Sequence, residues 1–104
     1  MELLNITGLD FSEEATQLLA SGRNVRIERI VSAGQSSPED FWYDQEEAEY
    51  VVVLQGEAVL GFPDGRQILR AGDGWHLPAH QRHRVEFTSR EPACIWLCIF
   101  YKED

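Results

Sequence analysis

Basic residues are scarce in this sequence. Its 104 residues include 9 Lys and Arg against 18 Asp and Glu, which gives a formal net charge of −9. Binding to nucleic acid requires a surplus of basic side chains that displace counterions from phosphates, and an anionic membrane surface attracts the same residues. The composition therefore argues against both of these partner classes.

Long apolar runs are also missing. No stretch approaches the roughly 20 apolar residues of a membrane-spanning helix, and residues 1–5 lack the basic start of a signal peptide. The two cysteines, Cys94 and Cys98, lie four residues apart in an apolar segment that is typical of a strand. Four strand residues span about 13 Å, whereas a disulfide requires Cα atoms within about 7 Å, so we expect two buried, reduced thiols. These features predict a soluble, cytoplasmic protein.

Hydrophobic residues make up 43% of the chain, which is enough for one packed core at a length typical of a single domain. We therefore expect one domain over residues 1–104. Its N-terminal segment, residues 1–22, is predicted to contain a short helix capped by Asp10 or Ser12, with Glu13 and Glu14 in the first turn and Gly22 at the end. The remainder, residues 23–101, is predicted to form a β-barrel.

Turn residues punctuate residues 23–101 at intervals of roughly 8 to 12 residues, and Asp64-Gly65 is the strongest hairpin signal among them. Short strands with this punctuation and no helix-length pattern predict an antiparallel β-sandwich or barrel. The last predicted strand, residues 93–101, is apolar on both faces. Its outer face therefore requires a cover, which is a helix, a terminal segment or another subunit, and we expect a homodimer.

Two motifs concentrate the residues that are able to carry chemistry. The first lies in the interval between Arg29 and Arg66, which contains eight acids and no Lys or Arg. It comprises residues 41–45 (Phe-Trp-Tyr-Asp-Gln) and Glu49, which is followed after six residues by Gly56. The second spans residues 72–83 (Gly-Asp-Gly-Trp-His-Leu-Pro-Ala-His-Gln-Arg-His), in which a Gly-Asp turn leads into a short strand, a proline and a histidine five residues later.

These motifs resemble the two motifs of the cupins, and residues 41–45 and 78–85 look like a subgroup of small bacterial cupins without an assigned substrate. The resemblance covers residues 25–101. It implies an all-β fold, an antiparallel jelly-roll-like β-barrel, with one divalent metal ion (Fe, Mn, Zn or Ni) in its pocket. The family's ligands are a His-x-His pair, a Glu and a later His. Glu49 and His83 match the last two, whereas the pair falls on Tyr43 and Gln45, so two expected ligands are missing.

The resemblance leaves three outcomes open. In the first, the metal site is rebuilt, and Glu49, His80 and His83 form a two-His-one-carboxylate set suited to Fe, Mn or Zn. Asp44 or Gln45 would add an oxygen ligand. The protein would then perform metal-assisted chemistry on a small polar molecule, such as oxygenation or isomerisation.

In the second outcome the pocket contains no metal, and Glu49, His83, Gln45 and Tyr43 bind a polar organic molecule through hydrogen bonds. In the third, the site is vestigial and the protein acts by packing or partner binding. We expect the first outcome, with Tyr43 and Glu49 as catalytic residues and with Tyr43, Gln45 and Trp42 in contact with the small-molecule ligand. The alternative is a non-enzymatic, metal-free ligand-binding or sensor protein.

Overall fold

The computed structural model describes residues 1–103, and Asp104, the last residue of the predicted domain, lies outside the described part. Residues 1–103 form eight strands in two sheets whose strand pairs are antiparallel. The all-β, antiparallel prediction is therefore confirmed. The strands are β1 (Ala15–Ser21), β2 (Val25–Ser32), β3 (Ala48–Gln55), β4 (Glu57–Phe62), β5 (Gly65–Arg70), β6 (Gly74–Leu77), β7 (Arg84–Thr88) and β8 (Cys94–Tyr101).

The larger sheet has the strand order β1-β2-β8-β3-β6, and the smaller sheet has the order β5-β4-β7. The turn residues Gly56, Asp64 and Gly72 separate β3 from β4, β4 from β5 and β5 from β6. The long crossover from β2 to β3 leaves room for β8, the last strand in the sequence, to pair with both of them. Strand β8 lies between β2 and β3 and is the centre of the larger sheet.

The main core lies between the two sheets. Strand β8 contributes its alternate residues to this core, and all four of them are buried: Cys94, Trp96, Cys98 and Phe100. Both cysteines are free, as expected from their spacing along one strand. The smaller sheet closes the core with Leu60 of β4 and Leu69 of β5. Burial of these apolar surfaces is the main stabilising contribution to the fold.

The predicted N-terminal helix is wrong. Residues 1–103 contain no helix, and Ala15–Ser21 forms the edge strand β1, which pairs with β2. Asp10, a predicted helix cap, instead accepts a hydrogen bond from the Ser12 backbone N–H (2.9 Å) and forms a local turn. The pairing with β2 satisfies the backbone groups of this segment, and such tertiary contacts override weak helix propensities.

The N-terminal segment covers part of the outer face of the larger sheet. The guanidinium of Arg29 on β2 donates hydrogen bonds to the carbonyl oxygens of Leu3 (3.0 Å) and Asn5 (2.8 Å). Ile95, on the outer face of β8, is fully buried in a second cluster against which Ile6 and Leu9 pack. A terminal segment is therefore one of the covers that the two-sided β8 requires. No helix in residues 1–103 has the length and hydropathy of a membrane span.

Candidate functional site

A cavity of about 150 Å³ lies between the two sheets. A cavity of this volume accommodates a molecule of about the size of benzene. The wall combines apolar and aromatic side chains with a few polar groups, which is the usual composition of a small-molecule site. The lining residues are Glu14, Ile30, Tyr43, Gln45, Glu49, Val51, Leu60, Leu77, His83, Val85, Trp96, Cys98 and Phe100.

Glu49 is the buried carboxyl group of the larger sheet. It lies on β3 between Leu77 of β6 and Phe100 of β8, and only 7% of its surface is exposed. Burial disfavours the carboxylate and raises the pKa of Glu49 to about 7, although a hydrogen bond with the Cys98 thiol lowers this pKa. Glu49 is therefore able to exchange a proton near neutral pH.

His83 is held in one tautomer. Its Nδ1 lies 2.9 Å from the carbonyl oxygen of Gln81. Because a carbonyl oxygen only accepts hydrogen bonds, Nδ1 carries the proton and Nε2 is the accepting nitrogen of the neutral ring. The side chain is buried, and this burial lowers the pKa of His83, which favours the neutral form. His83 thus contributes a hydrogen-bond acceptor to the cavity.

Tyr43 reaches the cavity from the long crossover between β2 and β3. Its backbone pairs with that of His83 in an isolated bridge, and the two rings stack with their centroids 5.1 Å apart. Burial and the nearby carboxylates of Glu14 and Glu49 raise the pKa of Tyr43, so the hydroxyl stays protonated. Gln45, two residues later, also lines the cavity, and its backbone carbonyl oxygen accepts a hydrogen bond from the His80 backbone N–H (2.7 Å).

His80 and Asp44 lie outside the cavity. His80 Nδ1 is 2.7 Å from Asp44 Oδ1, and these side chains are 64% and 55% exposed. Trp42 is also absent from the cavity wall, and its ring contacts Arg82, whose guanidinium carbon is 5.0 Å from the ring centroid. Of the predicted site residues, the structure brings four together at the cavity, namely Tyr43, Gln45, Glu49 and His83.

The predicted metal shell is not assembled. Within residues 1–103, no group of three or more His, Cys, Asp or Glu side chains is placed to hold a metal ion. Of the predicted ligands, Glu49 and His83 line the cavity, whereas catalytic zinc sites use three protein ligands. His80, the predicted third ligand, pairs with Asp44 at the surface. Within the described residues, the predicted ligands Glu49, His80 and His83 are therefore not brought together around one point.

Glu14 is a cavity residue that the sequence did not indicate. It lies just before β1, and its Oε2 accepts a hydrogen bond from the Ser32 hydroxyl (2.7 Å), which in turn accepts one from Trp96 Nε1 (3.3 Å). Glu14 also lines an adjoining cavity of about 180 Å³, which Tyr43 shares. Its position depends on the β1–β2 pairing, and no local motif marks it. Trp96, Cys98 and Phe100, by contrast, follow from the alternation of β8.

The sequence profile of the cupin domain family matches residues 28–100. No curated protein matches the chain. Among solved structures, a Ralstonia eutropha protein described as a "putative mannose-6-phosphate isomerase" is 34% identical, with 99% of this chain and 97% of that chain covered and a TM-score of 0.93.

Two further structures share the fold at lower identity. A cupin superfamily protein from Desulfitobacterium hafniense is 24% identical, with 91% of this chain and 83% of that chain covered and a TM-score of 0.78. A sugar phosphate isomerase from a cupin superfamily, from Silicibacter pomeroyi, is 19% identical, with 89% and 62% covered and a TM-score of 0.69. Because the profile spans most of the chain and the Ralstonia eutropha protein aligns over nearly all of it, the chain belongs to the cupin domain family.

Proposed function

We propose that this cupin binds a small polar molecule in the cavity between its sheets, through hydrogen bonds and not through a metal ion. The proposal rests on the burial of the Glu49 carboxyl group in the cavity wall. The residue is 7% exposed, and its side chain lines the cavity. Among residues 1–103, the hydrogen-bonding group beside its carboxyl group is the Cys98 thiol. A buried carboxyl group without a strong partner costs free energy, and a bound hydrogen-bond donor would offset that cost.

The other polar groups of the cavity suit the same role. Three of these groups line the cavity: the accepting Nε2 of His83, the hydroxyl of Tyr43 and the amide of Gln45. The backbone bridge between Tyr43 and His83 joins the two segments that carry them. Apolar side chains of both sheets form the rest of the wall. A few polar groups in a mostly apolar cavity orient a ligand, and the apolar wall contributes affinity.

Proton transfer is a second candidate, because the pKa of Glu49 is raised to about 7. A general base is most effective when its pKa lies near the working pH. The Glu49 carboxylate would remove the proton from a hydroxyl-bearing carbon beside a carbonyl group and return it to the former carbonyl carbon. The intermediate is an enediol, and a second proton moves from the original hydroxyl oxygen to the original carbonyl oxygen. Tyr43 would donate a hydrogen bond to the carbonyl oxygen, and two of the similar structures are described as isomerases.

The binding proposal is tested by NMR titration with small neutral probes, glycerol and dihydroxyacetone. We expect shifts of the backbone amides of Tyr43, Glu49 and His83 that are lost in Glu49→Gln and kept in Glu46→Gln. Glu46 is exposed and is absent from the cavity wall, so its substitution removes the same charge without changing the cavity. Shifts that Glu49→Gln leaves unchanged would contradict the proposal.

The same titration in D₂O tests proton transfer. Deuterium incorporation into glyceraldehyde or dihydroxyacetone that requires Glu49 would support isomerisation. Binding without exchange would leave a non-enzymatic ligand-binding protein, which is the alternative function.

We also propose that the protein is a homodimer whose second copy covers the remaining outer face of the larger sheet. Ile99 of β8 lies opposite Ile27 of β2 and Tyr50 of β3, and Leu97 lies opposite Val52. These side chains are only partly buried in the single chain, and Tyr50 is 42% exposed. Association would bury this apolar patch.

The cytoplasmic location expected from the sequence stays a prediction.

A further inference from the structure

On the basis of the proposed binding function, we infer that the cavity selects a small organic cation, a primary ammonium compound with an apolar body. Three features of the lining support this choice of ligand. The wall has an excess of hydrogen-bond acceptors, and it contains two carboxyl groups but, within residues 1–103, no Lys or Arg. The rest of the wall consists mainly of aromatic and aliphatic side chains.

The first feature is the balance of donors and acceptors. Glu14 and the deprotonated form of Glu49, which a bound cation favours, accept hydrogen bonds. His83 also accepts, because its Nδ1 proton is engaged by the backbone carbonyl oxygen of Gln81. Tyr43 and Gln45 are able to donate or accept. An ammonium group has three donors and no acceptor, so it complements this wall better than a carboxylate or phosphate, which only accept.

The second feature is charge. Within the described residues 1–103, the cavity wall contains two acidic side chains and neither Lys nor Arg. Arg26 is the basic residue whose charge acts on Glu49, but its guanidinium already pairs with Glu28 (2.7 Å) and Glu47 (2.8 Å). An anionic ligand would face like charges without a counterion in the wall, whereas a cation would face opposite charges.

The third feature is the rest of the wall. The rings of Trp96, Phe100 and Tyr43 line the cavity, and aromatic faces attract cations electrostatically. One face of Phe100 is occupied by the Arg26 guanidinium, 3.8 Å from the ring centroid, so Trp96 is the main aromatic contact. The aliphatic side chains of Val51 and Leu60 belong to the buried core and offer a surface for a hydrocarbon group. The volume of about 150 Å³ limits that group to about the size of one aromatic ring.

A matched set of three probes tests this inference. Benzylamine (cationic at neutral pH), benzyl alcohol (neutral) and benzoate (anionic) share one ring and differ in the charge of the head group. Each is titrated into wild type, Glu49→Gln, Glu14→Gln and the control Glu46→Gln, and binding at the cavity is measured from amide shifts and calorimetry. The Glu14→Gln variant keeps the test valid if Glu49→Gln does not fold.

We expect benzylammonium to bind at least tenfold more tightly than benzyl alcohol, and benzoate not to bind. Glu49→Gln should weaken the binding of benzylammonium about tenfold, and Glu14→Gln should weaken it severalfold. Glu46→Gln should change the affinity less than twofold. Equal binding of benzyl alcohol, or tighter binding of benzoate, would overturn the cation inference and leave the proposed binding function intact. If no probe, charged or neutral, produces Glu49-dependent shifts at the cavity, both the inference and the proposed function are wrong.

Discussion

Tyr43 and His83, 40 residues apart in the sequence, are joined by two backbone hydrogen bonds. The Tyr43 N–H donates to the His83 carbonyl oxygen (2.7 Å), and the His83 N–H donates to that of Tyr43 (3.2 Å). Their rings stack at an interplanar angle of 20°. This bridge fixes the crossover between β2 and β3 against the entry to β7, and it places both side chains in the cavity wall.

The first prediction concerns the ring of Tyr43. We expect Tyr43→Phe to keep the stack with His83 and to change the free energy of unfolding by less than about 0.5 kcal/mol, whereas Tyr43→Ala should destabilise the protein by about 1–3 kcal/mol. Urea unfolding measures both values. Phe87→Ala is the control, because Phe87 is an exposed aromatic side chain (48%) outside the cavity. Equal losses for Tyr43→Phe and Tyr43→Ala would show that the ring stack contributes little.

The second prediction concerns metal content. The purified protein should contain far less than one equivalent of Fe, Mn, Zn or Ni, and chelator treatment should leave its Tm unchanged. His80→Ala should alter the free energy of unfolding by less than about 1 kcal/mol, because the His80–Asp44 pair is exposed. Elemental analysis and thermal unfolding measure these quantities. Stoichiometric metal that is lost in both His80→Ala and His83→Ala would restore the ligand set expected from the sequence.

The third prediction concerns pH. Burial raises the pKa of Glu49 from 4.5 to about 7 in the folded state, so the folded protein holds this proton more tightly than the unfolded chain does. The stabilising contribution is complete below pH 4.5 and is lost as the pH rises through about 7. Between pH 5 and pH 8 the wild type should therefore lose about 2–3 kcal/mol of stability through this group.

Glu49→Gln should remove this loss, and the control Glu46→Gln should retain it. Urea unfolding at a series of pH values, with the two variants compared with wild type, isolates the contribution of Glu49. A profile that is the same in wild type and Glu49→Gln would mean that the pKa of the buried carboxyl group is close to its ordinary value.

The fourth prediction concerns Gly56, the glycine of the first motif. Its φ is +82°, and an added Cβ would contact the side chain of Ser89 and lie 2.8 Å from the carbonyl oxygen of Ala93. We expect Gly56→Ala to destabilise the protein by more than about 2 kcal/mol, from backbone strain and overlap together.

Two other glycines separate these contributions. Gly72 has a φ of +94° but nothing within 4 Å of an added Cβ, so Gly72→Ala should cost only about 1–2 kcal/mol of strain. Gly65 has open space and no such φ, so Gly65→Ala should have a small effect. Denaturant unfolding gives the three values. A loss in Gly56→Ala no larger than that in Gly72→Ala would contradict the overlap.

The fifth prediction concerns self-association. Light scattering coupled to size-exclusion chromatography should give twice the chain mass for wild type. The variants Ile99→Glu and Tyr50→Glu each place a charge in the apolar patch formed by Ile27, Val52, Leu97, Ile99 and Tyr50. We expect both variants to shift toward monomer, because an unpaired charge is costly in an apolar interface. Ile68→Glu, on β5 of the smaller sheet, is the control. A monomeric wild type at micromolar concentrations would contradict the homodimer.

The sequence alone determined much of the fold, because its signals are local. Turn residues such as Gly56 and Asp64 mark strand ends, and the two-residue alternation on β8 separates Trp96 and Phe100 from the outward side chains. It also identified Glu49 and His83 by their motifs, and both line the cavity.

The tertiary structure decided what depends on distant segments. The local pattern of residues 10–22 favours a helix, but pairing with β2 makes Ala15–Ser21 a strand and carries Glu14 to the cavity. His80 has a φ of +62° in the turn after Pro78, where it pairs with Asp44 instead of facing Glu49. Strand pairing and turn geometry satisfy backbone groups across the whole fold, and no short window of sequence contains that information. Glu49 and His83 could therefore be named from the sequence, whereas their acidic and aromatic surroundings depended on the packing of two sheets.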